Sequence, residues 1–274
     1  MPGMSPMPPP IEIVFVCPFD RSIRSVTPGT CGRRGSPVDM VAEVPEPLEF
    51  PLELTTAPAR LLPGESVRLR FQVRDPWRNS VVSKFRVVHE SSFHAFVVGE
   101  DLKFFLHDHP RWTGNAFELD AVLPKPGLYR VLADFLPEGA TPQLSTRSVF
   151  VGGGSTVPVV LERDYSGKQG ENIAVEMYAS PEDAIAGMTT TLRFVLSPEE
   201  GIEPYLGVLG HMLIASDDLI DLVHTHPVTM QVGPVAEFAV VFPRPRVYRI
   251  WVQFQRDGIV NTVHFDVPVR RASY

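Results

Sequence analysis

The chain is poor in the features that common catalytic and nucleic-acid-binding sites require. Its 274 residues include two cysteines, and 32 acidic residues outnumber 25 basic ones. No lysine- and arginine-rich run is present that could neutralise phosphates, so we expect no nucleic-acid partner. There is no Gly-x-Ser-x-Gly elbow, no phosphate-binding glycine loop and no His-Glu-x-x-His helix. We therefore expect a protein that is not an enzyme.

Long apolar segments are absent too. No stretch approaches the roughly 20 apolar residues that a membrane-spanning helix needs. We therefore expect no membrane span.

Prolines and glycines are abundant, with 28 and 20 copies between short apolar runs. Such spacing indicates many turns and few long helices. In residues 66–73, Val67, Leu69 and Phe71 alternate with polar residues, which is typical of a half-buried strand. The sequence predicts an all-β fold.

One motif occurs twice in the chain. Residues 93–110 read FHAFVVGEDLKFFLHDHP and residues 210–227 read GHMLIASDDLIDLVHTHP. Each copy has a histidine, an aspartate seven residues later, and then His-x-His-Pro. Six of the eight histidines fall into these two sets, which are His94, His107 and His109 in the first copy and His211, His224 and His226 in the second.

The repeat extends beyond the histidines. PKPGLYRVLADF at residues 124–135 is matched by PRPRVYRIWVQF at residues 243–254, with Tyr248 in place of Tyr129. A duplicated module of about 110 residues is typical of immunoglobulin-like domains. We therefore predict two tandem immunoglobulin-like or cupredoxin-like β-sandwiches. The predicted boundaries are 1–10 for a disordered Met/Pro leader, 11–46 for a small N-terminal module, 47–154 for the first sandwich and 155–274 for the second.

Each copy of the motif predicts a β-hairpin, with Asp101 and Asp218 forming the turns. If residues 99–102 form the first loop, His94 pairs with His107, and His109 lies on the same face. The equivalent loop in the second copy pairs His211 with His224.

Three converging imidazoles could bind Cu(II), Zn(II) or Ni(II). The alternative is that the histidines are architectural and bond backbone carbonyls at the strand ends. A third option is a metalloenzyme, because a three-histidine site can leave an open coordination position.

The leader places Met1, Met4 and Met7 among prolines. Methionine thioethers are ligands that suit Cu(I). A disordered leader without ligand function is the alternative.

Two cysteines lie in the N-terminal module, and they allow either a disulfide or two thiol ligands. The segment resembles the small bacterial heavy-metal-binding domain, with matches at Cys17, Pro18, Pro28, Gly29, Cys31 and Gly35. The positions where that domain has Met, His, Cys and Met hold Phe19, Asp20, Arg34 and Ser36. Because most thiolate and imidazole ligands are lost, we expect a degenerate module in which Cys17 and Cys31 form a disulfide.

The duplicated motif, with Pro-x-Pro-Gly-x-Tyr-Arg and Gln-Phe-Gln-x-Asp-Gly, resembles a group of poorly characterised exported bacterial proteins. They often carry the heavy-metal-binding domain or lie beside copper-handling functions. This resemblance implies a periplasmic or secreted protein, with a signal peptide that is not in the given sequence, and copper as its ion, with zinc as the alternative. Another envelope protein is a further expected partner. The leading hypothesis is a non-enzymatic metal-binding accessory protein, and the rival is a structural or protein-interaction module.

Overall fold

The structure is a computed structural model. It describes residues 13–32, 37–44, 48–154, 160–229 and 231–272. All regular secondary structure in these ranges is β-strand, which confirms the all-β prediction. Residues Met1, Met4, Met7, Arg34, Gly35 and Ser36 lie outside the described residues.

Among the residues that the structure describes, no helix is long and apolar enough to cross a membrane.

The N-terminal module is built from short strands. They are β1 (Val14–Cys17), β2 (Asp20–Ser25), β3 (Thr30–Cys31), β4 (Val38–Asp39) and β5 (Val41–Glu43). Strands β2, β1 and β5 form one sheet in that order, and β3 pairs with β4. Strand β5 belongs to this sheet because its backbone pairs with β1.

A disulfide joins Cys17 to Cys31, with 5.8 Å between the Cα atoms. Both cysteines are buried. The bond ties the end of β1 to β3, so neither thiol is available as a metal ligand.

Arg24 of the N-terminal module packs against the first sandwich. Its guanidinium carbon lies 3.9 Å from the centre of the Trp77 ring, and its Nη2 lies 3.6 Å from Oδ2 of Asp75. Its Nη1 donates a hydrogen bond to the carbonyl of Gly139 at 3.4 Å. Cation–π and charge contacts of this kind attach the module without any metal.

The first sandwich contains eight strands. They are β6 (Leu52–Ala57), β7 (Ser66–Val73), β8 (Phe93–Gly99), β9 (Phe105–Asp108), β10 (Arg111–Trp112), β11 (Phe117–Val122), β12 (Gly127–Phe135) and β13 (Gln143–Val151). One sheet has the order β10-β11-β7-β6 and the other has the order β13-β12-β8-β9.

Ten strands form the second sandwich within the part of it that the structure describes. They are β14 (Lys168–Gln169), β15 (Ala174–Ser180), β16 (Ala184–Ile185), β17 (Thr189–Ser197), β18 (Ile202–Glu203), β19 (His211–Ser216), β20 (Leu222–Thr225), β21 (Val235–Val241), β22 (Val247–Arg256) and β23 (Ile259–Arg270). Its sheets have the orders β14-β15-β17-β21 and β16-β23-β22-β19-β20, and β18 also pairs with β22.

The two sandwiches share their strand order. The sheet β13-β12-β8-β9 corresponds strand by strand to β23-β22-β19-β20. The chain divides into two compact units, one of residues 1–98 and 106–156 and the other of residues 99–105 and 157–274. The shared strand order shows that each sandwich is one copy of the duplicated module.

A tyrosine corner supports the immunoglobulin-like assignment. The Tyr129 hydroxyl donates to the carbonyl of Lys125 at 2.9 Å and accepts from its amide at 3.1 Å. Tyr248 makes the same pair of bonds to Arg244, both at 3.0 Å. A tyrosine that bonds back to the backbone a few residues upstream is a hallmark of this fold.

Strand β8 places its histidine on the sheet face opposite the sandwich core. Phe93 lies in the core, with its ring centre 4.6 Å from that of Phe117 and 5.2 Å from that of Phe135. Because side chains alternate along a strand, His94 and Phe96 point the other way. Both are nonetheless buried, with 3% and 1% of their surface exposed.

Candidate metal centres

A tight turn precedes the first histidine of each cluster in the sequence. In the first sandwich, the amides of Val88 and Ser91 each donate to the other's carbonyl, at 2.8 and 3.1 Å. The two residues between them, His89 and Glu90, have φ angles of 48° and 61°. Two consecutive positive φ values define a turn of type I′.

The second sandwich has an equivalent turn 117 positions later. Tyr205 and Val208 bond to each other at 2.7 and 3.3 Å, around Leu206 and Gly207, whose φ angles are 53° and 75°. Both turns therefore direct one backbone carbonyl toward the histidine that begins the hairpin.

These carbonyls fix the tautomer of the buried histidine. His94 Nε2 lies 3.0 Å from the carbonyl oxygen of Val88, and His211 Nε2 lies 3.1 Å from that of Tyr205. A carbonyl can only accept a hydrogen bond, so Nε2 carries the proton in both rings. In a neutral imidazole, Nδ1 then presents its lone pair. The same arrangement orients histidines in metal centres.

The hairpin register differs from the prediction by two residues. Leu213 pairs with His224, so counting two residues further places His211 opposite His226. In the first hairpin the Gly99 amide donates to the Phe104 carbonyl at 3.1 Å, which gives the same register. The predicted pairs of His94 with His107 and of His211 with His224 are therefore wrong.

The physical reason lies in the loop. Leu102 and Leu219 have φ angles of 53° and 54°, and each closes a turn with its amide. The loop thus occupies residues 100–103 rather than 99–102. Because side chains alternate with a period of two, a shift of two residues keeps all three histidines on one face.

In the first cluster, three imidazoles converge. His94 Nδ1 lies 3.1 Å from His109 Nε2 and 3.4 Å from His107 Nε2. The ligand atoms of the three rings all lie within 4.8 Å of one another. Nitrogens that share one metal at 2.0–2.1 Å are separated by about 3.3–3.6 Å in tetrahedral or trigonal geometry. The first two distances are close to this range.

The second cluster repeats this geometry. The ligand atoms of His211, His224 and His226 also lie within 4.8 Å of one another. The three ring-centre separations are 5.8, 4.8 and 4.5 Å, compared with 5.7, 4.8 and 4.9 Å in the first cluster. His211 Nδ1, His224 Nε2 and His226 Nε2 are buried nitrogens and correspond atom for atom to the first set.

Burial differs within each cluster in the same way. His94 and His211 are 3% and 1% exposed, whereas the two histidines of each His-x-His pair are half-buried. Burial, together with the neighbouring His94, lowers the pKa of His109 to about 4, although Asp108 opposes this. His109 is therefore neutral at neutral pH, the form in which an imidazole binds a metal.

Aromatic side chains pack against the histidines of both clusters. The Phe96 ring stacks on His107 with 4.1 Å between ring centres. In the second sandwich Tyr205 lies edge-on to His211 at 5.2 Å. These contacts limit the rotation of the imidazoles.

The two predicted turn aspartates lie in the turns. Asp101 Oδ1 accepts the amide of Lys103 at 3.0 Å, and Asp218 Oδ1 accepts the amide of Ile220 at 3.2 Å. Asp218 also receives two bonds from Arg244, at 2.9 and 3.0 Å. Burial opposes ionisation of Asp218, but these bonds keep its pKa below the usual range. Neither aspartate belongs to a histidine cluster.

Two polar residues near the first cluster, His89 and Asp134, were not predicted from the sequence. Burial raises the pKa of Asp134, and the electrostatic influence of His94 and His89 opposes that rise. Burial also lowers the pKa of His89. A signal was present in the aligned repeats, because Asp134 and His89 correspond to Gln253 and Leu206. Their proximity to His94 depends on strand pairing and was not visible.

A family model for a domain of unknown function, DUF8832, matches residues 50–148 and 169–271. The two matches coincide with the two sandwiches and contain all six clustered histidines. The N-terminal module lies outside both. No curated protein matches the chain in sequence.

Solved structures with some similarity include the Escherichia coli adhesin FdeC, at 13% identity over 88% of this chain and 71% of that one, with a TM-score of 0.27. A 1.5-MDa bacterial ice-binding adhesin shares 9% identity over 83% of this chain and 67% of that one, with a TM-score of 0.27. A Salmonella alpha-2-macroglobulin mutant shares 14% identity over 81% of this chain and 15% of that one, with a TM-score of 0.26. These scores are too low to inform function.

Proposed function

The chain belongs to the DUF8832 family, whose domain has no known function, and we propose that it binds two transition-metal ions, one at each three-histidine cluster. The ion that we propose is copper, with zinc as the alternative. We propose a non-enzymatic accessory role in the cell envelope or outside the cell.

The observation that carries this proposal is the convergence of the same three ring nitrogens in both sandwiches. One buried histidine is held by a carbonyl, and its other nitrogen is directed at the His-x-His pair. If the histidines only filled space, the two copies would not need the same tautomer and the same ring orientation.

The donor set fits a borderline metal ion. All three ligands are imidazoles, which in their neutral form suit Cu, Zn and Ni and are poor ligands for Mg²⁺ or Ca²⁺. The resemblance to exported copper-associated proteins favours copper within this group.

The proposed location has one structural support. The Cys17–Cys31 disulfide persists in oxidising compartments such as the periplasm and the extracellular space. This favours a protein that works outside the cytoplasm.

A protein-interaction module with architectural histidines is the second candidate. His94 Nδ1 lies within hydrogen-bonding distance of both His107 Nε2 and His109 Nε2. A proton shared within the cluster could therefore hold the rings together in place of an ion. In that case the sandwiches would act through their exposed edges or loops.

Calorimetric titration of the metal-free protein with Cu(II), Zn(II) and, without oxygen, Cu(I) separates the two candidates. We expect two ions per chain. His107→Ala with His109→Ala should remove one ion, and His224→Ala with His226→Ala should remove the other.

The matched control is His264→Ala, because His264 is an exposed histidine of β23 outside both clusters. This variant should keep both ions. Binding weaker than about millimolar, about −4 kcal/mol, would reject the metal proposal. Binding that survives all four alanine substitutions would also reject it, provided that circular dichroism shows a folded chain.

A further inference from the structure

The two clusters have the same ligands, but two neighbouring positions differ in charge between the repeats. We infer that the first cluster is the stronger site for a divalent ion, because the carboxylates Asp134 and Asp108 lie near it at positions where the second repeat has the uncharged Gln253 and Thr225. This inference rests on the proposed metal binding and adds a division of roles between the two sites.

Strand pairing places a different residue beside each buried histidine. In the second sandwich, His211 of β19 pairs directly with Gln253 of β22. In the first sandwich, β8 lies next to β12, and the residue equivalent to Gln253 is Asp134. A carboxylate in one repeat thus takes the place of a neutral amide in the other.

Asp134 is half-buried and interacts electrostatically with His94 and His89. It is not one of the converging ligand groups of the cluster. Its role would therefore be that of a charge near the bound ion rather than of a ligand. In the second sandwich, Gln253 is occupied by a neutral contact, since its amide donates to the Thr262 hydroxyl at 3.0 Å.

At a second position, too, the first repeat has an acidic residue and the second repeat has an uncharged one. The residue between the paired histidines is Asp108 in the first sandwich and Thr225 in the second. Asp108 Oδ1 accepts the amide of His109 at 2.7 Å and interacts electrostatically with its ring. Asp108 is exposed, so solvent screens its effect more than that of Asp134.

The charge of the ion determines how much such carboxylates matter. The Coulomb energy is proportional to the product of the charges, so a dication gains twice as much as a monocation at the same distance. Three neutral imidazoles leave the full ionic charge uncompensated. Asp134 would therefore favour Zn(II) or Cu(II) at the first cluster, whereas Cu(I) should distinguish less between the two sites.

The test isolates each cluster in the full-length chain. His224→Ala with His226→Ala leaves the first cluster, and His107→Ala with His109→Ala leaves the second. Zn(II) and Cu(I) affinities are then measured by competition with a chelator of known affinity. We expect the isolated first cluster to bind Zn(II) at least about tenfold more tightly than the second, and the two Cu(I) affinities to agree within about threefold.

Substitutions that remove a carboxylate at the first cluster or add one at the second test whether these charges cause the difference in Zn(II) affinity. Asp134→Asn should weaken Zn(II) binding at the first cluster about tenfold, and Asp108→Asn should weaken it by a smaller factor. Gln253→Glu should strengthen Zn(II) binding at the second cluster, a gain that misfolding cannot produce. Asp120→Asn is the matched control, because Asp120 is a carboxylate of the other sheet that pairs with Arg68 at 2.8 Å.

The outcomes are distinguishable. Equal Zn(II) affinities of the two clusters, or unchanged affinities in both Asp134→Asn and Gln253→Glu, would overturn this inference and leave the metal proposal intact. Absence of Zn(II) and Cu(I) binding at both isolated clusters would overturn both proposals.

Discussion

The two hairpins share their backbone conformation, their three histidines, an Asp-Leu pair in the turn and a final proline, whereas most of their other residues differ. Both present one carbonyl-anchored histidine and one His-x-His pair. Yet the residue before the anchored histidine is Phe93 in one and Gly210 in the other. The turns that supply the carbonyls are His89-Glu90 and Leu206-Gly207.

This comparison shows which features the cluster geometry needs. The turn conformation, the strand pairing and the three histidines are common to both copies, and the ring arrangement is kept although residues such as Phe93 and Gly210 differ. The residues that differ are free to adjust stability and charge. Substitutions at non-equivalent positions therefore test the two copies separately.

The largest expected difference comes from Phe93→Ala. Phe93 is fully buried against Phe71, Phe117 and Phe135, so its removal leaves a cavity in the first core. We expect a loss of about 3–5 kcal/mol in the free energy of unfolding. Urea denaturation measures it, and Phe150→Ala, which removes a ring that is 62% exposed, should change it by less than about 0.5 kcal/mol. Equal effects of the two substitutions would contradict the core position of Phe93.

The second-largest effect concerns a region outside both hairpins. Replacing Cys17 and Cys31 with serine opens a loop with a sequence separation of 14. We expect a loss of about 3 kcal/mol for the N-terminal module. Both clusters should keep their ions in calorimetry, because neither uses a cysteine. Loss of an ion in this variant would show that the module takes part in metal binding.

Gly210→Ala should have a moderate effect, restricted to the second copy. A Cβ atom at this position would lie 2.7 Å from the backbone oxygen of Gln253 and 2.8 Å from the Phe254 ring. Backbone must then shift, at a cost of about 1–3 kcal/mol. Because His211 follows directly, metal affinity at the second cluster should fall as well. Gly233→Ala is the control, since nothing lies within 4 Å of its Cβ position.

The smallest effect distinguishes the two turns. Gly207 has a φ of 75°, so Gly207→Ala forces a side chain into the left-handed region and should cost about 1 kcal/mol. Glu90 already occupies the equivalent position with a φ of 61°, so Glu90→Ala should be nearly neutral. Thermal unfolding of both variants makes the comparison. A similar loss in both would show that the left-handed backbone conformation is not the cause of the loss in Gly207→Ala.

Much of the fold could be predicted from the sequence. Alternation in residues 66–73 predicted the strand β7, and the structure buries Val67, Leu69 and Phe71 as expected. The repeated tyrosines pointed to two copies of one module, and the structure gives each a tyrosine corner. These features are local or repeated, so they leave a signal in a single sequence.

The grouping of the six histidines was also predictable, although the hairpin register was not. Spacing along a strand determines which side chains share a face, and that property survives a shift of two residues. The register itself depends on the left-handed conformations of Leu102 and Leu219, which a leucine rarely adopts and which no sequence pattern indicates.

The sequence by itself determined the all-β class, the duplication and the identity of the three histidines in each cluster, because all three follow from periodicity and repetition. Only the tertiary structure decided how the rings are oriented and charged. The carbonyls of Val88 and Tyr205 reach His94 and His211 from separate turns. Gln253 reaches His211 from a strand more than 40 residues away in sequence. Contacts of this kind are made by chain segments brought together during folding, and the spacing within one motif cannot specify them.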